Sequence, residues 1–258
     1  MLYPRITKLY MYKPPKENTL KILRNNRLWA AKPEHFNDPF DCDLEIEKDI
    51  TEESVLEAAR RWRNERQVAE YKASKLDADG KFTIEERKRL REIVKNFEKE
   101  NKNSGVVCLS EGCDSILMWS HYAQDHKGVC FEFTRDENND LGDEEKCSPV
   151  RYERHYPPID LGQMLINQDG ETIRLMMKTK SWEWAYEKEW RLITDCGDKE
   201  HPLPGPISRI ILGIRIEDKF KSCIEKLCKE RSIPYSQARK ADREFRIEVP
   251  LVGSDVSA

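Results

Sequence analysis

No stretch of this sequence approaches the roughly 18 consecutive apolar residues that a membrane span needs. Its opening, MLYPRITKLY, has no apolar core of the kind a secretory signal carries. A cytoplasmic protein without a membrane partner is the expectation. Neither sign of charge dominates: 45 Lys and Arg face 48 Asp and Glu, for a net charge of −3. No overall basic field therefore draws the chain to nucleic acid. A Walker loop, a glycine-rich dinucleotide fingerprint and a Gly-x-Ser-x-Gly elbow are all missing. The 8 cysteines (Cys42, Cys108, Cys113, Cys130, Cys147, Cys196, Cys223 and Cys228) lie mostly inside apolar runs. Without an export signal they read as reduced thiols, not as a disulfide framework.

What is present suits one large α+β domain, 1–258, interrupted by a helical insertion over 51–103. Charged residues make up 36% of the chain, against about 25% in an ordinary globular domain. The insertion concentrates them, with 14 Lys and Arg and 12 Asp and Glu. Thr51-Glu52-Glu53 starts a helix with acids in its first turn, and Val55, Ala59 and Trp62 give it an apolar stripe. Leu90, Ile93, Val94 and Phe97 mark a second helix. The two read as a hairpin whose mixed charges form a solvated face or, alternatively, a surface for a partner protein or nucleic acid.

Around the insertion, strands are expected at 6–13, 28–31, 105–110, 128–134, 189–195, 207–214, 233–236 and 245–249. Helices are expected at 19–26, 116–123, 159–178 and 218–230. Strand-rich halves without regular βαβ alternation predict mixed or antiparallel sheets with flanking helices.

Metal chemistry has weak support. Asp77, Asp79, Gly80, Phe82 and Glu86 fit positions 3, 5, 6, 8 and 12 of a calcium loop, but Lys75 stands at position 1, where a carboxylate should bind the ion. The expected reading is an Asp-Gly turn between helices. The pairs Cys108/Cys113 and Cys223/Cys228 are too widely spaced for zinc knuckles, and no metal is expected.

Three clusters mix aromatics with polar groups in apolar surroundings: Tyr10-Met11-Tyr12-Lys13; Ser110 with Ile116 to Tyr122; and Trp182 to Arg191. Burying Glu189 or Arg191 unpaired is costly, so they form either a core staple or part of a functional cleft.

These residues carry a family resemblance. Leu9 to Lys13, Asn25-Asn26-Arg27-Leu28-Trp29, Phe36-Asn37-Asp38-Pro39-Phe40-Asp41, Ile116 to Ala123, Lys127 to Phe133, and Lys180 through Tyr186 to Ile193 resemble the bacterial family named domain of unknown function 2971. The opening (strand with Tyr, helix, Asn-Asn-x-Leu, short strand) is also similar to ADP-ribosyltransferase-like proteins. That second resemblance implies NAD as substrate, consumed by a transferase or glycohydrolase acting in phage defence or as a toxin, with a protein or nucleic-acid acceptor. It implies Glu189, His121 and Tyr122 as catalytic residues. Tyr10, Tyr12, Lys13, Trp119, Ser120 and Arg191 would then hold the nucleotide, with Tyr122 or Trp119 stacking on nicotinamide and Arg191 or Lys13 gripping pyrophosphate. Glu189 is preferred to Glu187 because it sits inside the Trp190-Arg191-Leu192-Ile193 run, although both acids share strand parity.

Overall fold

The structure is a computed structural model that describes residues 2–43, 51–156 and 171–250. It opens with β1 (Lys8–Lys13), α1 (Glu17–Asn25) and β2 (Arg27–Ala30), and continues through α2 (Glu52–Trp62), α3 (Glu65–Lys75) and α4 (Ile84–Asn103). There follow β3 (Gly105–Ser110), α5 (Ile116–Tyr122), β4 (Val129–Thr134), β5 (Cys147–Pro149) and β6 (Arg151–Glu153). Next are α6 (Glu171–Met177), β7 (Thr179–Ser181), β8 (Glu189–Thr194), β9 (Lys199–Pro202) and β10 (Ile207–Leu212). The chain closes with α7 (Asp218–Glu230), β11 (Tyr235–Gln237), β12 (Arg239–Lys240) and β13 (Ile247–Glu248). The α+β class holds. The helix expected over 159–178 lies mostly outside the described residues, and α6 is its described end.

Two compact units emerge: one from Met1–Ala31, Gly105–Val150 and Glu183–Ala258, the other from Lys32–Ser104 and Arg151–Trp182. The second is wider than the 51–103 insertion expected.

In the first unit a 7-stranded sheet runs β11-β10-β4-β1-β3-β8-β5. Every neighbouring pair is antiparallel except β10 and β11. Side chains alternate between its faces. One face carries Leu9, Met11, Leu109, Phe131, Phe133, Trp190 and Ile210, packed with Leu20 and Leu23 of α1 and Ile224 and Cys228 of α7. Burying each of the large side chains contributes roughly 1.5–3 kcal/mol. The other face carries Tyr12, Cys130 and Ile211 and meets Met118 and Trp119 of α5. Gly213 lets the chain leave β10 closely packed, since a Cβ there would sit 2.2 Å from the His126 carbonyl oxygen.

In the second unit the charged segment folds as three helices, not as a hairpin of two. Thr51 caps α2, accepting from Ser54 N. Asn64 then caps α3, accepting from Gln67 N. That local side-chain bond competes with continuing α2 through the same residues. The exposed pairs Arg61–Glu57 at 2.7 Å and Arg66–Glu70 at 2.9 Å show the solvated, ion-paired face that the composition implied. Strands β6 and β7 pair in parallel. Lys180 lies buried 3.8 Å from Asp41 of the Asn37-Asp38-Pro39-Phe40-Asp41 segment.

Candidate functional site

The antiparallel register lays a polar row across five strands of the first unit's sheet. Arg209 faces Glu132, Glu132 faces Tyr10, Tyr10 faces Ser110, and Ser110 faces Glu189. Glu132 accepts from Lys8 Nζ at 2.7 Å, Ser208 Oγ at 2.8 Å and Arg209 Nε at 3.0 Å. Burial alone would raise its pKa, but these hydrogen bonds outweigh it and hold the carboxyl below the usual range. Tyr10, half-buried, titrates well above its ordinary value, chiefly because burial disfavours the phenolate. Sequence reading missed Glu132 and Arg209. The available signal was a lone charge inside each apolar strand, VCFEFT and ISRIIL.

A loop after β3 ties the row to α5. Tyr12 donates its hydroxyl to Gly112 O at 2.8 Å, and Trp119 Nε1 donates to Cys113 O at 2.8 Å. Trp190 Nε1 donates to Glu111 Oε1 at 2.8 Å, and Ser110 Oγ donates to Glu187 O at 2.6 Å. Burial pushes the Cys113 thiol up to about 11, so it stays protonated at neutral pH.

At one end of this loop lies a corner where α5 meets the turn that precedes β8. Tyr122, the last residue of α5, donates its hydroxyl to Glu187 Oε1 at 2.6 Å. The carboxylate belongs to a buried residue, while Tyr122, Tyr186 and Trp184 are half-buried and His121 is exposed. The His121 ring stands 6.4 Å from Tyr122 and 6.4 Å from Tyr186, with Trp184 6.1 Å beyond Tyr186. At the loop's other side, Tyr10, Cys113, Asp114, Arg239, Arg246 and Glu248 line an open groove of about 600 Å³.

Glu187 and Glu189 do not share a role. Lys188 between them has φ +45, a left-handed conformation that ends the 3-10 turn over Trp182–Glu187 and starts β8. The chain's alternation is therefore reset between the two acids. Glu187 meets Tyr122, whereas Glu189 is buried against Arg191, with Nε at 2.9 Å and Nη2 at 3.3 Å from its two oxygens. Arg191 is 0% exposed.

The predicted site residues thus fall into groups. His121 and Tyr122 come together at the corner with Tyr186 and Glu187, which were not among the predicted site residues, while Glu189 and Arg191 pair with each other inside the sheet. Tyr10 lines the groove. Tyr12 and Trp119 are buried and pack edge to face, ring centroids 5.2 Å apart. Ser120 donates to Ile116 O at 2.9 Å and lies 3.2 Å from His126 Nε2. Lys13, one residue beyond Tyr12 in β1, belongs by alternation to the opposite face with Leu9 and Met11, and burial pulls its ammonium pKa down.

His126 follows two residues that share its positive φ, Gln124 and Asp125. Its ring stacks on Trp119 at 6.3 Å and 11°. Burial, then Arg215 and Lys240, lower its pKa, while Asp125 opposes them. The folded state therefore resists protonation more than the unfolded chain does. Stability is full above the unfolded value of about 6.5 and falls as pH drops below it, levelling off beneath the folded pKa. The urea midpoint is expected to be lower at pH 5.5 than at pH 7.5, and His126→Gln to narrow that difference.

Residues 118–192 match the model of a family described as Protein of unknown function (DUF2971). The match takes in most of α5, all of β4 and the first part of β8, and bears out the family resemblance read there. No curated protein and no solved structure matches the chain.

Proposed function

We propose that this chain, which carries that family's pattern through its centre, consumes NAD. It would cleave the nicotinamide–ribose bond at the Tyr122–Glu187 corner, as a glycohydrolase or an ADP-ribosyltransferase. The observation that supports this most is the buried Glu187 carboxylate, held at 2.6 Å by the Tyr122 phenol beside the rings of His121 and Tyr186. Aromatic faces and a carboxylate attract a flat cationic ring, and the nicotinamide of NAD is one.

As the N-glycosidic bond breaks, its electron pair goes to the nicotinamide nitrogen and an oxocarbenium ion develops at ribose C1′. Glu187 stabilises that positive charge. Tyr122 orients the carboxylate. Water, or a hydroxyl of a protein or nucleic-acid acceptor, then adds to C1′ and gives its proton to a base, a role the exposed His121 fits. With water the balance is NAD plus water giving ADP-ribose, nicotinamide and a proton. Tyr10, Arg239 and Arg246 in the groove that Cys113 and Asp114 also line suit the adenosine diphosphate half. Arg191 does not suit it, being committed to Glu189. Consumption of NAD would fit a toxin or a phage-defence effector.

The test is nicotinamide release from NAD by the purified protein, followed chromatographically. Release is expected, and Tyr122→Phe is expected to slow it about tenfold, the worth of one hydrogen bond to a charged group. No release with water, protein or nucleic-acid acceptors, together with no NAD binding, would sink the reading.

A further inference from the structure

The second unit holds a cavity of about 280 Å³, where the segment from Phe40 to Asp43, the loop after β6 and strand β7 come together. Met176, Cys42 and Lys180 form its buried side. Its mouth carries two aromatic side chains that stay largely in solvent, Phe40 at 68% and Tyr156 at 59% exposed. The Tyr156 hydroxyl donates to Phe40 O at 3.4 Å and so ties the two together across the mouth. Thr179 Oγ1 donates to Leu175 O at 2.6 Å, which satisfies a carbonyl at the end of α6 just before β7 pairs with β6.

Lys180 decides which ligand charge suits this cavity. Its ammonium lies 3.8 Å from Asp41 Oδ2, and the two side chains are 4% and 3% exposed. A buried ammonium is costly unless a carboxylate stands beside it, and Asp41 supplies one. Asp41 itself lines a different cavity, with Asn101, so the members of the pair face different cavities. Cys42 stands between the two, turned by its φ of +58 and held by Asn101 Nδ2, which donates to Cys42 O at 3.4 Å. Lys180 thus presents a positive charge to the first cavity from surroundings of low dielectric. The other ionisable groups that line it, Asp43, Glu153, Arg154 and His155, are exposed, and water and salt screen them. The aromatic faces at the mouth suit a flat ring. The volume lies at the low end of small-molecule sites, which run from roughly 300 to 1,000 Å³, and so suits one ring system and not a dinucleotide.

We infer that this cavity is a binding site for a small aromatic anion. A single ring system lies against Phe40 and Tyr156 and carries one carboxylate or phosphate inward to Lys180. The site does not depend on the NAD reading, whose residues all belong to the first unit.

The test uses the full chain titrated in a calorimeter with benzoate and, separately, with phenyl phosphate, which share a ring and differ in the anion. At least one is expected to bind with a Kd of about 1 mM or tighter, and the stronger of the two names the anion. Benzamide, the neutral counterpart of benzoate, is expected to bind at least about tenfold more weakly than the better anion. Tyr156→Ala changes an exposed side chain, so the fold should hold, and binding is expected to weaken roughly tenfold. Lys180→Met is expected to abolish binding. It also strips Asp41 of its partner, so its melting temperature is measured beside the titration. Binding of neither anion by the natural protein would overturn the site. Unchanged affinity in Tyr156→Ala would place the ligand elsewhere on the chain and overturn it too. Benzamide binding as tightly as the anions would overturn the role of Lys180, even if Lys180→Met failed to fold.

Discussion

Arg191→Met is expected to destabilise the first unit by about 3–5 kcal/mol, because it strips a buried carboxylate of its guanidinium. Glu189 and Arg191 project from one face of β8, and their side chains are 4% and 0% exposed. In the sheet Ser110 stands opposite Glu189, while Cys108 and Ser148 flank Arg191. Without that guanidinium the buried Glu189 carboxylate is held less well, and protonation or water entry there disturbs the centre of the sheet. The melting temperature should fall by on the order of 10 °C. The double variant Glu189→Gln/Arg191→Met should regain much of the loss, since no charge is then buried. A double variant no more stable than Arg191→Met would show that the cost lies in packing instead.

Glu187→Gln is expected to act on chemistry and not on folding. Glutamine keeps the size of the side chain and a carbonyl oxygen that still accepts from Tyr122, so the melting temperature should move little. If the corner cleaves NAD as proposed, the variant loses the negative charge that would face the developing oxocarbenium ion, and nicotinamide release should slow by about 10²–10⁴-fold. Glu189→Gln should do the reverse, lowering the melting temperature while leaving turnover per folded molecule largely intact. The two acids are thereby separated in one experiment. Equal turnover in Glu187→Gln and the natural protein would remove Glu187 from the mechanism.

How much of this the sequence discloses depends on the kind of signal. The central strands β1, β3, β4, β8 and β10 are readable because each is a six-residue segment rich in apolar and β-forming residues. Strand β9, Lys-Glu-His-Pro, is polar throughout, and its pairing with β2 rests on backbone bonds that no side chain announces. The site was half legible. Tyr122 and His121 sit in a recognisable helix, and the opposite facing of Tyr12 and Lys13 follows from strand alternation alone. The separation of Glu187 from Glu189 was hidden, because a lysine with positive φ leaves no local trace of the kind a glycine leaves. With that turn at Lys188 unseen, the two acids had equal parity, and position within the apolar run favoured Glu189. The Glu132–Arg209 pair was hidden for another reason: its members are 77 residues apart, and only sheet topology brings them together.

Calorimetric titration of the protein with NAD and, separately, with its reduced form tests the central claim most directly. The two nucleotides share every phosphate and ribose, but only the oxidised ring is cationic. If the Tyr122–Glu187 corner receives nicotinamide, the oxidised form binds and the reduced form binds at least about tenfold more weakly, since loss of the ring charge forfeits both the aromatic and the carboxylate attraction. Equal affinity for the two forms, or binding of neither, would contradict the assignment of that corner.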